Sequence, residues 1–169
     1  MHDKSAAHES RQQAALRELL QTQRIASLGT LDALGAPFVS MVPFAVEPTD
    51  AVLVIHVSLL APHTRHLQYS PAVSLLIMQV QTPGAPVHDL PRASLQGTAL
   101  RLPPDSTAWS TARQAYLARF PEAQPMTELG DFSFVSISAQ QGRHVAGFGA
   151  ARGLDAHDIA SALRLCAHR

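Results

Sequence analysis

The spacing of short apolar runs in the first sixty residues is what most limits how this chain can fold. Runs at residues 25–31, 38–46 and 52–57 are separated by gaps of only a few residues. Both gaps hold turn formers, with Gly35 in the first and Pro48 in the second. A parallel strand pair needs a crossover of about a dozen residues or more. These runs therefore predict an antiparallel meander.

Further runs extend this pattern along the chain. We predict strands at residues 73–80, 93–102, 132–138 and 145–148, and a proline-rich loop at 82–91. Apolar stripes predict helices at residues 5–22, 107–120 and 155–168, and a helical turn at 63–69. The prediction is a mainly β fold, a six- to seven-stranded antiparallel β-barrel with flanking helices. We assign it to one domain over residues 1–169, with the barrel at 24–150.

The charge content points to a buried surface and excludes some partners. Charged residues make up 15% of the chain against 46% hydrophobic residues, and the formal net charge is zero. About a quarter charged is usual, so part of the surface is expected to be buried against a partner. The chain lacks a basic patch and a long apolar run, so neither nucleic acid nor a membrane is expected as partner. The N-terminus lacks the apolar core of a signal peptide, and we expect a cytoplasmic protein.

The cysteine and histidine pattern predicts no metal site. Cys166 is the single cysteine, so no internal disulfide can form, and we predict a buried structural thiol. His63 and His66 are three residues apart among nine histidines, but no compact ligand set has zinc-like spacing. The sequence also contains no P-loop, Gly-x-Gly-x-x-Gly or Gly-x-Ser-x-Gly motif, and no catalytic residue can be named.

Four stretches carry a family resemblance. They are ASLGTLD followed by GAPFVSMVPF (26–44), SLLAPHTRHL followed by SPAVSLL (58–76), RASLQGTA (92–99) and GFG (147–149). In this order they resemble the pyridoxamine 5'-phosphate oxidase-like superfamily of FMN-binding split β-barrels, and most closely its HugZ-type heme-handling branch. The resemblance implies a homodimer that binds FMN at the dimer interface and acts as an oxidoreductase on a small molecule.

FMN needs a cradle of donors for its phosphate. Four polar residues around the helical turn can form it: Ser58, His63, Thr64 and Arg65. The Arg65 guanidinium has the planar fork that suits phosphate oxygens. Pro62 precedes the turn and leaves the first N–H groups of the helix free for an anion. On the residues alone, the alternative is a capped surface helix with solvated polar side chains.

The resemblance assigns the flavin ring to the second strand. In the family the backbone of this strand lies against the ring edge, which implies contacts from Ser40, Met41, Val42 and Pro43. Arg92, which opens a later strand, falls where the family places a group that reaches the flavin or its ligand. The alternatives are that Met41 and Phe44 are core residues and that Arg92 is a solvated arginine at a strand end.

Two departures from the family pattern keep other functions open. Ser40 and Ala45 stand where true pyridoxamine phosphate oxidases carry an arginine and a lysine that serve the cofactor, so oxidation of pyridoxamine phosphate is not expected. One alternative is a cofactor-free split-barrel binding module. Another is heme binding or heme degradation, because some members of the HugZ-type branch ligate heme through a histidine of the C-terminal part. The candidates here are His144, His157 and His168.

Overall fold

The chain folds into antiparallel β-structure with flanking helices, and the structure, a computed structural model, describes residues 10–166. The strands are β1 Ile25–Leu31, β2 Pro37–Pro43, β3 Ala45–Glu47, β4 Val52–Ser58, β5 Ala72–Met78, β6 Arg92–Arg101, β7 Phe132–Val145 and β8 Ala151–Asp155. The α-helices are α1 Arg11–Thr22, α2 Pro62–Tyr69, α3 Thr107–Arg119 and α4 Ala156–Leu165. Short 3₁₀ helices occupy Val87–Asp89 and Pro121–Glu128.

The strands form one sheet that curls back on itself. Its order is β2-β1-β5-β6-β7-β4-β3, and β8 pairs with the end of β7. The two ends of this order, β2 and β3, are separated in the chain by Phe44 alone. Phe44 is fully buried in the core, so the sheet curls around it. The predicted mainly β, antiparallel split barrel with flanking helices is confirmed, with eight strands where six or seven were expected.

The second predicted strand, residues 38–46, is two strands in the structure. Pro43 has no N–H and cannot donate to a neighbouring strand. The next N–H, that of Phe44, donates to the Arg24 carbonyl at 3.1 Å, just before β1 begins. The chain then turns, and Ala45 pairs with Val54 of β4. One interrupted segment therefore supplies both ends of the sheet.

The predictions for the last strands were wrong in extent. The strand expected at residues 132–138 continues to Val145, because β6 pairs along nearly all of it and β8 pairs with its second half. No strand covers 146–148 in the described chain, since Val145 is the last residue of β7. Instead, Gly147 and Gly149 adopt φ values of 155° and 74° in a turn, and the missed strand β8 follows.

Helices α1 and α4 pack against each other and cover one region of the barrel core. Leu16 and Leu20 of α1 are fully buried, as is Leu163 of α4. Helix α1 begins at Arg11, because Ser10 caps it by accepting a hydrogen bond from the Gln13 N–H at 3.1 Å. The rest of its predicted N-terminal part, residues 5–9, and the end of the last predicted helix, residues 167–168, lie outside the described residues.

Two further expectations from the sequence can be compared with the structure of residues 10–166. Cys166 is partly rather than fully buried; it packs against the core, and its thiol donates to the Ala162 carbonyl at 3.3 Å. Within the same residues, every helix is too short or too polar to cross a bilayer.

Candidate functional site

Helix α2 is held against β2 by a pair of polar side chains. The Ser40 hydroxyl of β2 lies 3.0 Å from Nδ1 of His63 in the first turn of α2 and shares a hydrogen bond with it. Pro62 occupies the first position of α2 and favours helix initiation there. The structure thus brings the predicted helical turn and the second strand together, as the resemblance implies.

One helical turn later the arrangement repeats. Nδ1 of His66 lies 3.0 Å from the Thr30 hydroxyl of β1. The edge of the Phe38 ring packs against the His66 ring, with centroids 5.3 Å apart. Neither Nε2 atom of His63 or His66 has a hydrogen-bond partner among the described residues. The two imidazoles are therefore oriented through one nitrogen and leave the other available to a ligand.

Burial favours the neutral form of the His63 imidazole. Burial lowers its pKa below the usual 6.5, and the neighbouring His66 lowers it further. A neutral ring can be ligated through Nε2, whereas a protonated ring cannot.

Both hydroxyls predicted to cradle a phosphate take part in hydrogen bonds that stabilise the turn. The buried Thr64 side chain donates to the Ser58 carbonyl at 2.6 Å. The Ser58 hydroxyl accepts the Leu60 N–H at 3.2 Å. The Thr64 proton is thus committed to the backbone. Sequence reasoning could not find this, because the acceptor is a main-chain carbonyl six residues away.

Arg65 is the predicted phosphate contact that stays open to a ligand. Its side chain is exposed, and no acidic group among residues 10–166 pairs with it. The N-cap residue of α2, Ala61, makes no side-chain cap hydrogen bond. A guanidinium and an uncapped helix start therefore lie next to each other, a combination that attracts anions.

The residues of β2 alternate between two faces of the sheet. Val42 is buried, Ser40 and Pro43 are half-buried, and Met41 is 62% exposed. Phe44 is a core residue, as the alternative proposed, but Met41 is not. Ala45, the second position that departs from the oxidase pattern, is buried in β3. Ser40 shares a hydrogen bond with His63.

Arg92 holds a loop. Its guanidinium donates to the Leu90 carbonyl at 2.9 Å and to the His88 carbonyl at 3.4 Å. It thereby closes the end of the predicted proline-rich loop onto the start of β6. Arg92 is therefore more than a solvated arginine at a strand end, and its predicted contact with a flavin or its ligand stays a prediction.

A groove crosses the outer face of the sheet, and sequence reasoning missed it. Its first part has a volume of about 430 Å³ and is lined by Phe38, Val39 and Thr98, among others. A second part of about 470 Å³ extends over β7 to Arg143. Ser74 and Gln96 line both parts. The two parts therefore adjoin at Ser74 and Gln96 and together extend from the β1–β2 hairpin to β8.

A β-bulge supplies the amides of this groove. The register of β6 and β7 shifts between Gln96 and Gly97, so Gln140 has no direct partner in β6. Gln141 donates from Nε2 to Gln96 Oε1 at 2.7 Å, and Gln140 donates to the Thr98 hydroxyl at 3.1 Å. Two consecutive side chains thus contact one face of the sheet. The alternating polar residues of β6 were the available clue, but they are also typical of a solvated strand face.

The part of this outer face formed by β2, β1 and β5 is apolar and uncovered. The exposed side chains are Ile25 at 52%, Val39 at 67%, Met41 at 62%, Leu76 at 36% and Met78 at 43%. The strand registers place them on the outer side of adjacent strands. We call these five residues the apolar outer face. Exposed apolar side chains grouped in this way, here on either side of Ser27, are typical of interaction sites.

The three predicted heme ligands lie in different environments. His144 of β7 is 1% exposed, and its Nε2 has no partner among the described residues. Burial lowers its pKa, and the nearby Arg152 lowers it further. A porphyrin cannot reach His144 without a rearrangement of its surroundings. His157 is exposed on α4, and His168 lies outside the described residues. By contrast, His66 contacts Thr30 and Phe38, which lie at the β2 edge of the groove with their side chains on the face opposite Val39.

Comparison with known proteins gives this geometry a context. The sequence profile of pyridoxamine 5'-phosphate oxidase matches residues 12–146. Heme oxygenase HutZ of Vibrio cholerae serotype O1 is 28% identical over 158 residues, which cover 93% of this chain and 89% of HutZ. The chloroplastic heme oxygenase HOZ of Arabidopsis thaliana is 36% identical over 113 residues, which cover 67% of this chain and 33% of HOZ.

A solved structure shares the fold. The heme-binding protein from Mycobacterium smegmatis superposes with a TM-score of 0.80 at 25% sequence identity. The match covers 91% of this chain and 62% of that protein. This chain therefore spans less than two thirds of HOZ and of the mycobacterial protein, and most of HutZ.

Proposed function

This chain belongs to the pyridoxamine 5'-phosphate oxidase family, and from this premise we propose that it binds heme and degrades it. The observation that carries the proposal is the match to a protein named heme oxygenase over 93% of this chain and 89% of the relative. The proposal reverses the order of the sequence-based hypotheses, in which a flavoprotein came first and heme was an alternative.

The outer groove supports this assignment. A porphyrin is flat and mostly apolar, and it carries two carboxylates. The groove is open and elongated, and Val39 and Phe38 line the end that lies nearest α2. Arg143 lines the other part, is exposed, and pairs with no acidic group among residues 10–166. An unpaired guanidinium suits a porphyrin carboxylate.

The His63–His66 pair supplies the iron ligand in this proposal. Both rings contact side chains on the inner face of β1 and β2, so a heme in the outer groove must reach them around the edge strand β2. Hydroxyls of Ser40 and Thr30 fix the two rings through Nδ1. Ligand histidines are commonly oriented by a hydrogen bond to the second ring nitrogen, and that bond also tunes their basicity. When bound, heme supplies the oxygen chemistry, and the residues of this chain bind and orient it.

The apolar outer face is proposed to bind a second copy of the chain. Stable interfaces bury on the order of 800 Å² per partner and contain an apolar centre. Met41 and Val39 are more than half exposed in the single chain, beside the groove. A second copy on this face would exclude water from a heme bound there.

A hemin titration tests the ligand assignment. We expect a Soret band to develop with saturable binding, and His63→Ala or His66→Ala to shift its position and weaken binding about tenfold. His157→Ala, which changes an exposed histidine on α4, is the matched control. If neither change at α2 alters the spectrum, the assignment of the ligand to this pair is wrong. If hemin produces no saturable band, heme binding itself is excluded.

FMN remains the second candidate, favoured by the family match and by the unpaired Arg65 beside the start of α2. In this case the protein would be yellow as purified and act as an oxidoreductase on a small molecule. Arg65→Ala should then weaken FMN binding, while Arg164→Ala on α4 should not. A chain that binds neither hemin nor FMN would fit the third hypothesis, a cofactor-free binding module.

A further inference from the structure

A separate cavity of about 200 Å³ lies beneath α2. Thr64, Leu67 and Gln68 of the helix line one side of it. The opposite side is formed by Val57 of β4, Ala99 and Arg101 of β6, and Val135 of β7. At roughly 30 Å³ for each water-sized group, the cavity has room for a small organic molecule.

Most of the cavity wall is apolar, but one cation reaches it. Arg101 is exposed, and its Nε donates to the Ser133 hydroxyl at 3.0 Å. Ser133 is 7% exposed, so this hydrogen bond orients the guanidinium from a buried position. No acidic side chain among residues 10–166 pairs with Arg101. The two terminal nitrogens of its fork therefore remain free for a ligand.

The surrounding residues determine what charge the ligand can carry. The Thr64 proton is directed at the Ser58 carbonyl, so this hydroxyl cannot donate into the cavity. Gln68 adds one neutral amide. A dianion such as phosphate would meet a single cation and four apolar side chains, and its second charge would remain uncompensated. A monoanion with an apolar tail matches the wall.

We propose that this cavity binds a small monocarboxylate, with the carboxylate on the Arg101 fork and the short aliphatic tail among Val57, Leu67 and Val135. Planar, bidentate pairing with a carboxylate is the geometry for which the guanidinium is suited. The tail gains free energy by leaving water.

This site is distinct from the proposed heme groove. Gln96 and Thr98 point to the outer face of β6 and line the groove, whereas Ala99 and Arg101 lie on the opposite face and line the cavity. The carboxylate site can therefore exist whether or not the chain binds heme. Conversely, its loss leaves the heme proposal intact.

The test is a titration with butyrate, followed by the methyl resonances of Val57, Leu67 and Val135 in NMR spectra. We expect saturable shifts at millimolar concentrations, because one charged pair and a short tail support only weak binding. Butyramide, the neutral isostere, and inorganic phosphate should leave these resonances unchanged. Arg101→Gln should weaken butyrate binding about tenfold or more.

Controls separate binding from misfolding. Arg164→Gln, a change of an exposed arginine on α4, should bind butyrate like the wild type. Ala99→Val retains Arg101 but fills the cavity, and it should block butyrate while hemin titration stays unchanged. Equal shifts from butyrate and phosphate, undiminished butyrate binding by Arg101→Gln, or no shift at the three methyl-bearing residues would each overturn the proposal.

Discussion

Ser40 Oγ and His63 Nδ1 share a hydrogen bond of 3.0 Å that joins the second strand of the barrel to the first turn of α2. This contact brings the two regions that the family resemblance associates with the cofactor into one site. It also fixes which nitrogen of His63 is free. In our account, the loss of this hydroxyl should affect ligand binding more than folding.

We therefore expect Ser40→Ala to lower hemin affinity several-fold, because the His63 ring loses the group that orients it. A neutral side-chain hydrogen bond contributes about 1 kcal/mol, so the melting temperature should change little. Hemin titration and thermal unfolding measure the two effects. Ser110→Ala, which removes an exposed hydroxyl from α3, is the control and should change neither markedly. A large fall in melting temperature with unchanged hemin affinity would give the contact a structural role only.

Gly97 allows β6 and β7 to approach closely at the bulge. A Cβ atom at this position would lie 2.2 Å from the Ser138 carbonyl oxygen, which belongs to the backbone and cannot move away easily. Gly97→Ala should destabilise the protein by several kcal/mol or shift the β6–β7 pairing. Gly130→Ala is the matched control, since a Cβ there has no neighbour within 4 Å. Similar denaturant midpoints for both variants would contradict the close approach.

Met41 tests the proposed contact between two copies. It is 62% exposed and lies on the edge strand β2 of the apolar outer face. Met41→Lys places a charge on each side of a two-fold contact, where neither is compensated, and should convert a dimer to a monomer. Analytical ultracentrifugation reports the mass. Leu34→Lys changes a residue that is 94% exposed in the β1–β2 turn and should have no effect. A wild-type chain that sediments as a monomer at high concentration would exclude the dimer.

His56 makes stability depend on pH. Its ring packs against Phe134 and Phe132 at centroid distances of 4.4 and 4.9 Å, and burial lowers its pKa from 6.5 to about 4. As pH falls below 6.5, the unfolded chain binds a proton that the folded protein does not, so stability falls until about pH 4. Above the unfolded pKa this group contributes no pH dependence.

We expect His56→Phe to remove about 1 kcal/mol of the stability loss between pH 7 and pH 5, since partial exposure reduces the effect. His63 and His144, whose pKa values are also lowered, leave a residual slope. Denaturant titrations at several pH values measure it, with His157→Phe as the exposed control. If His56→Phe and wild type lose stability in parallel, the low pKa of His56 is wrong.

The strands were predictable where apolar residues alternate or cluster over a short run, as in β1 and β4. They were not predictable where backbone hydrogen bonding determines the point at which a strand begins or ends. Pro43 divides one apolar segment between the two ends of the sheet. Strand β7 continues past the bulge residue Gln140 because β6 and β8 both pair with it from Gln141 onward. Patterns of apolar residues indicate which strand residues are buried. They are a poor guide to where a polar strand pairs with its neighbours.

The proximity of α2 to the second strand was predicted, whereas the contacts of the individual side chains were not. Residue types around α2 indicated an anion site, but Thr64 and Arg92 bind backbone carbonyls that no sequence motif reveals. The outer groove depends on a register shift at Gly97, which follows from strand pairing in three dimensions. The ligand role of the His63–His66 pair is a proposal that rests on the observed hydrogen bonds.

Heme turnover tests the central proposal most directly. The protein loaded with hemin is incubated in air with a mild reductant and an excess of catalase, so that free peroxide does not contribute. We predict that the Soret band disappears and that a ferrous-iron chelator captures close to one iron per heme, faster than with hemin and no protein. A Soret band that persists with no iron released, or a rate equal to that of hemin alone, would contradict the proposal.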